Sequence, residues 1–110
     1  MTIQGLGIDL VEIARIERAM RKPRFLNRIL TEAERSQNLT PAYVAGRWAA
    51  KEAVAKAVDI GLNWHDVVVV STPTGAPVVH CRKLKPGQSL LVSISHERNH
   101  AVAVAILSGT

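Results

Sequence analysis

The chain has 110 residues, 47% of them hydrophobic and 21% charged, a composition that fits one folded domain spanning 1–110 and excludes a disordered chain. A single cysteine, Cys81, excludes an internal disulfide and a cysteine-rich zinc site, and no apolar run approaches the roughly 18 residues of a membrane span. The formal net charge of +5 is concentrated in one place: Arg15 to Arg28 hold six basic residues against one acid, Glu17, so an anionic partner is expected there.

Ile3 to Leu10 reads as a strand carrying Gly5 and Gly7, where another backbone could approach closely. Val11, Ile13, Ile16 and Met20 then recur at helical spacing until Pro23 interrupts them. Arg24 to Leu30 suits a short second helix. Thr31 and Glu34 form a capping box that opens a third, through about Asn38. Thr40-Pro41 places an N-cap residue before a proline at the first helical position, and the alanine-rich run to about Val58 predicts the longest helix. Gly61 and Asn63 mark its exit.

Val67–Ser71 and Pro77–Cys81 predict a hairpin around Thr74-Gly75. After a Pro86-Gly87 turn, Leu90–Ser95 and Ala101–Leu107 predict two more strands. Strand, several helices, then four strands describes an α+β domain with helices on one side of an antiparallel sheet. The opening MTIQGLGIDL lacks the pattern of a secretory signal, and with the cysteine count this leads to an expected cytoplasmic location.

His96, Glu97 and His100 spell H-E-x-x-H, which binds zinc only on a helix, where both histidines share a face. The flanks LLVSIS and AVAVAI are strand-like, and Arg98-Asn99 suits a turn. The pattern therefore predicts a hairpin bend with no zinc, leaving His96 free for another site. Asp9, between Ile8 and Leu10, is expected to be buried. It would then either cap the following helix or meet a partner or cation. On the long helix, Glu52 and Lys56 stand four apart. They form either a surface pair or, with Arg47 and Lys51, a charged cleft for an anionic ligand and a metal ion. Arg15, Arg18 and Lys22 share a helix face. Too few aromatics interleave the basic stretch for nucleic acid to be expected, whereas an acidic protein fits.

Three segments, GLGIDLVEIARIE, GRWAAKEAVAKA and SISHERNHAVAVAIL, occur in an order that resembles the bacterial holo-acyl-carrier-protein synthases, the small 4'-phosphopantetheinyl transferases. The resemblance spans Ile3 to Leu107. It implies transfer of the phosphopantetheine arm of coenzyme A to a serine of apo acyl carrier protein, with release of adenosine 3',5'-bisphosphate, in fatty-acid biosynthesis. It implies Mg²⁺ held by Asp9 and Glu52, and catalytic roles for Asp9, Glu52, Lys56 and His96. Coenzyme A contacts are implied at Arg47, Lys51, Lys56, Gly61 and His96, and a carrier-docking surface at Arg15, Arg18, Arg21, Arg24 and Arg28. A homotrimer with coenzyme A between subunits is implied too. The base that takes the serine proton stays open among His96, Asp9 and a metal-bound water.

Four departures from the family pattern bear on coenzyme A. Asp59-Ile60-Gly61 replaces a G-T-G turn in a shortened loop, and Thr74-Gly75-Ala76-Pro77 lacks the usual basic residue. A short segment with Arg82, Lys83 and Lys85 stands where a helix is common, its charges being candidates to replace what is lost. His100 stands where an aromatic is common. The alternative is a non-catalytic module that grips an acidic protein through its basic stretch.

Overall fold

A computed structural model describes all residues, Met1–Thr110. In chain order it contains β1 (Thr2–Glu12), α1 (Ile13–Ala19), α2 (Phe25–Ile29), α3 (Glu32–Arg35), α4 (Pro41–Val58), a 3-10 turn at Trp64–Asp66, β2 (Val67–Ser71), β3 (Pro77–Cys81), β4 (Ser89–His96) and β5 (His100–Gly109). The expected α+β order is present, with two refinements. The strands form two antiparallel sheets, β1-β5-β4 and a separate β2-β3 ribbon. Val11 belongs to β1 rather than to the helix after it.

Thr40 caps α4 through its hydroxyl, which accepts the Tyr43 N–H at 3.1 Å, and Pro41 occupies the first turn. The helix stops at Asp59, whose left-handed φ of 57° is a conformation glycine adopts more readily. Thr31 and Glu34 form the expected capping box of α3.

The core lies between α4 and the β1-β5-β4 sheet. On α4, Ala45, Ala49, Ala50, Ala53 and Ala57 are buried; on β5, Ala101, Ala103 and Ala105 are. Small residues on both surfaces bring helix and sheet close. The approach is closest at β1, where Gly5 and Gly7 lie against α4. A Cβ on either would stand 1.9 Å from a carbonyl oxygen, that of Ala57 or Ala53 respectively. Along β1 the side chains at 5, 7, 9 and 11 turn to the helix, and those at 6, 8 and 10 turn away.

A second, polar core joins α4 to α2, α3, the 3-10 turn and β2. The Lys51 ammonium donates to the Ile29 carbonyl at 2.8 Å, to Glu34 Oε1 at 2.7 Å and to the Trp64 carbonyl at 3.0 Å. Glu34, fully buried, also accepts the Thr31 N–H and, at its other oxygen, the Val69 N–H, both at 2.7 Å. All three protons of Lys51 are used, which is the condition under which a buried ion pair is tolerated. Burial pushes the Lys51 pKa down, and Glu34 opposes that shift.

Gly7→Ala should destabilise the fold by more than about 3 kcal/mol, because backbone rather than a flexible side chain must yield. Urea denaturation of the purified variant checks this.

Candidate functional site

Close contact between β1 and α4 delivers Asp9 to the helix. Ile8 and Leu10 point to the opposite face and are exposed, so apolar neighbours are not what shelters Asp9. Its carboxylate is half-buried by α4 and faces Lys56, whose ammonium lies 3.4 Å from Oδ1. Lys56 is also held by the Ile8 carbonyl at 2.8 Å. Lys56 therefore reaches across to β1 and does not form the surface pair with Glu52 that its spacing allows. Asp9 caps no helix: Glu12 is the N-cap of α1, and the Ile13 N–H is taken by the Asn99 carbonyl at 2.8 Å.

Glu52 makes no hydrogen bond within the chain. It borders a cleft of about 150 Å³ with Lys51, Ala55, Leu62, Asn63, Trp64 and Val67. Burial raises its pKa above the usual carboxylate value, and the negative charge of Asp9 raises it further, while Lys56 and Arg15 pull it down. Two carboxylates thus share one end of the helix–sheet contact, with Lys56 too exposed to neutralise both. Such a pair fits a divalent cation. Magnesium is commonly held by one or two carboxylates, with substrate phosphates and water completing its shell. No cluster of three or more His, Cys, Asp or Glu side chains exists anywhere in the chain, so protein ligands here would be limited to these two carboxylates.

The other residues expected at this site are placed differently. Lys51 is not available to a ligand: its ammonium points into the protein, and every proton has an internal acceptor. This corrects its expected role as a coenzyme A contact. Arg47 is also buried; its guanidinium donates to Ser71 Oγ at 2.8 Å and stacks 4.3 Å from the Tyr43 ring centroid, leaving Nε without a partner. The helix therefore does not gather Arg47, Lys51 and Glu52 in one cleft. Gly61 sits on the loop after α4 with open space around it.

His96 ends β4, exposed and opposite Ala101, while Asp9 lies opposite Ala103. Two strand spacings across the sheet and two residues along it, together about 12 Å, separate them. As the flanking pattern indicates, H-E-x-x-H lies on the β4–β5 hairpin and not on a helix. There Glu97 Oε1 accepts the Asn99 N–H at 2.9 Å and meets His100 Nδ1 at 2.8 Å. His100, then the Asn99 N–H, hold the Glu97 carboxyl below its ordinary pKa.

The basic stretch forms a second feature. Arg15, Arg18, Lys22, Arg24 and Arg28 surround an open groove of about 670 Å³ whose floor includes Ile16, Phe25 and Trp48; Arg21 is not on its wall. Phe25 stacks on Trp48 with centroids 5.8 Å apart, and Trp48 meets Trp64 at 4.5 Å. This aromatic row leads from the groove towards the cleft at Glu52. Sequence reasoning missed it, although Trp48 precedes Glu52 by one helical turn. It also missed the second task of Glu34, for which the capping box was the only visible signal.

Two acids and a lysine thus stand at a strand–helix contact, beside a basic groove with an apolar floor. The profile of the 4'-phosphopantetheinyl transferase superfamily matches residues 5–105, and the chain belongs to that superfamily. Its similar relatives include the holo-[acyl-carrier-protein] synthase of Halalkalibacterium halodurans, 42% identical over 96% of this chain and 95% of the relative. That of Exiguobacterium sp. is 41% identical over 96% and 92%. Among solved structures, the holo-(acyl-carrier-protein) synthase of Bacillus anthracis in complex with CoA (3',5'-ADP) superposes with a TM-score of 0.88 at 35% identity, covering 100% of both chains. The Helicobacter pylori enzyme in complex with coenzyme A gives 0.85 at 38%, covering 94% of this chain and 99% of that one.

The raised Glu52 pKa has a stability consequence. The folded state holds the Glu52 proton to higher pH than the unfolded chain does, so its contribution to stability falls as pH rises from the unfolded to the folded value. Glu52→Gln should therefore be more stable than wild type at neutral pH, with the gap narrowing as pH falls through the carboxylate range. Urea midpoints across pH measure it.

Proposed function

We propose that the chain, acting as one domain over residues 1–110, transfers the 4'-phosphopantetheine group of coenzyme A to a serine of an apo acyl carrier protein, such as that of fatty-acid synthesis. The meeting of Asp9, Glu52 and Lys56 where β1 packs on α4 carries this reading. The serine oxygen bonds to the phosphorus that bears pantetheine, and the bond from that phosphorus to the nucleotide oxygen breaks. Adenosine 3',5'-bisphosphate departs, and the hydroxyl proton passes to a base.

Asp9 and Glu52 would hold Mg²⁺, which when bound supplies positive charge to the diphosphate. Lys56, already oriented by the Ile8 carbonyl, places its ammonium where the phosphates would approach. The basic groove is the docking surface for the acidic carrier: Arg15, Arg18, Arg24 and Arg28 steer it, and Phe25 and Trp48 offer an apolar seat.

The same reading includes a homotrimer with the site between subunits. The outer face of the β1-β5-β4 sheet is apolar and open, with Leu6 66%, Ile8 57%, Leu10 65% and Leu91 68% exposed. A patch of this kind marks an association surface. His96, two strands from Asp9 in its own chain, would join a site only through a neighbouring copy.

Incubation with apo carrier, coenzyme A and Mg²⁺ should add one phosphopantetheine mass to the carrier, and chelator should stop it. Asp9→Ala and Glu52→Ala should abolish transfer while keeping a native circular-dichroism spectrum. A wild-type protein that adds no mass to several carriers would leave only the binding-module alternative. Analytical ultracentrifugation should give three chain masses, and Leu6→Glu with Leu10→Glu should give one.

A further inference from the structure

We propose that Lys83 is a positioning residue for the coenzyme A site, acting through the loop between α4 and the 3-10 turn. This inference deepens the transferase reading and rests on it. Residues 60–62 make no backbone–backbone hydrogen bond: the last α4 contact is the Asp59 N–H on the Ala55 carbonyl, and the next is the Asp66 N–H on the Asn63 carbonyl. The one hydrogen bond that holds this segment is from the Lys83 ammonium to the Gly61 carbonyl, at 3.1 Å.

Lys83 is itself anchored, its ammonium lying 3.3 Å from Asp66 Oδ2. Asp66 is nearly buried and well tied: Oδ2 accepts the Asn63 N–H at 2.8 Å, and Oδ1 meets Arg82 Nε at 2.8 Å. Arg82 adds a bond to the His65 carbonyl at 3.1 Å. The chain of restraint runs from the 3-10 turn through Asp66 to Lys83 and on to Gly61.

The loop matters because of what it borders. Leu62, Asn63 and Trp64 form one wall of the cleft whose opposite wall carries Glu52. That wall is braced at both ends, by Lys51 on the Trp64 carbonyl and by Lys83 on the Gly61 carbonyl. Lys51 is locked in the interior, but Lys83 is a half-exposed side chain from the segment after β3. Arg82 and Lys83, weighed from sequence as replacements for lost ligand-binding charge, both pair with Asp66 while their side chains stay largely exposed, and Lys83 also reaches the loop. A loop with no backbone bonds of its own depends on such a brace for a defined position. A ligand that packs against the loop binds more weakly when the loop wanders.

The test compares wild type, Lys83→Met and Lys83→Arg. Without ligand, Lys83→Met should be nicked by thermolysin within residues 59–63 several-fold faster than wild type, with the melting temperature lowered only slightly because Arg82 and the Asn63 N–H still hold Asp66. Its KM for coenzyme A should rise about 3- to 10-fold, the scale of one ordinary net hydrogen bond felt through the loop, with kcat within about twofold because Glu52 stays on α4. Lys83→Arg should recover most of both effects. A raised KM with unchanged nicking would mean that Lys83 touches the ligand itself, and would overturn the proposal. Faster nicking with unchanged KM would overturn it too, by showing that the loop does not serve the site. If wild type and Lys83→Met transfer equally well and are nicked equally, the brace is wrong and the transferase reading stands. Wild type that transfers nothing would instead remove the reading and the brace's assigned role with it.

Discussion

The contact between β1 and α4 governs the rest of the molecule. Gly5 and Gly7 let the strand backbone lie against helix carbonyls at a distance no side chain permits, and the alanines of α4 and β5 extend that closeness across the core. Both candidate metal-holding acids follow from it. Asp9 is the next inward position of β1 after Gly7, and Glu52 is the helix residue just before Ala53, against whose carbonyl Gly7 packs. A strand held further off by one methyl group would part the acids that the chemistry needs together.

The polar core around Glu34 and Lys51 complements this apolar one. Of the segments between β1 and β2, α2, α3 and the 3-10 turn are each a turn or so long and bury little hydrophobic surface. A single ammonium and a single carboxylate collect their free carbonyl and amide groups instead. The arrangement explains how Lys51 can line the same cleft as Glu52 yet present no free ammonium to it. Adjacent helix positions point about 100° apart, so one turns inward and the other to the cleft.

Much of this was legible in the sequence, because it rests on local chemistry. The caps of α3 and α4, the proline at the head of α4 and the β-branched runs of β2 and β3 place the starts of their elements within a residue or so, although α3 ends at Arg35, short of the expected Asn38. The hairpin nature of H-E-x-x-H follows from its flanks. Asp9 and Glu52 could be singled out, and Lys56 with them. What sequence could not supply was direction. Arg47, Lys51 and Lys56 look alike as cations spaced along a helix, but Ser71, Glu34 and Asp9 claim them separately. Those partners lie 24, 17 and 47 residues away, beyond the reach of any local pattern. The same holds for Lys83, whose loop and anchor become neighbours only when the chain folds back after β3.

The β2-β3 ribbon shares no hydrogen-bond ladder with the sheet that bears Asp9. Its tip, Thr72 to Ala76, closes on itself through the Ala76 carbonyl and the Thr72 hydroxyl. Such a module can be lengthened, trimmed or rewritten at its end without transmitting a register slip to β1, which carries Asp9. The ribbon is thus a part of this architecture where evolution has room to vary length and sequence while the packing of β1 on α4 stays constant.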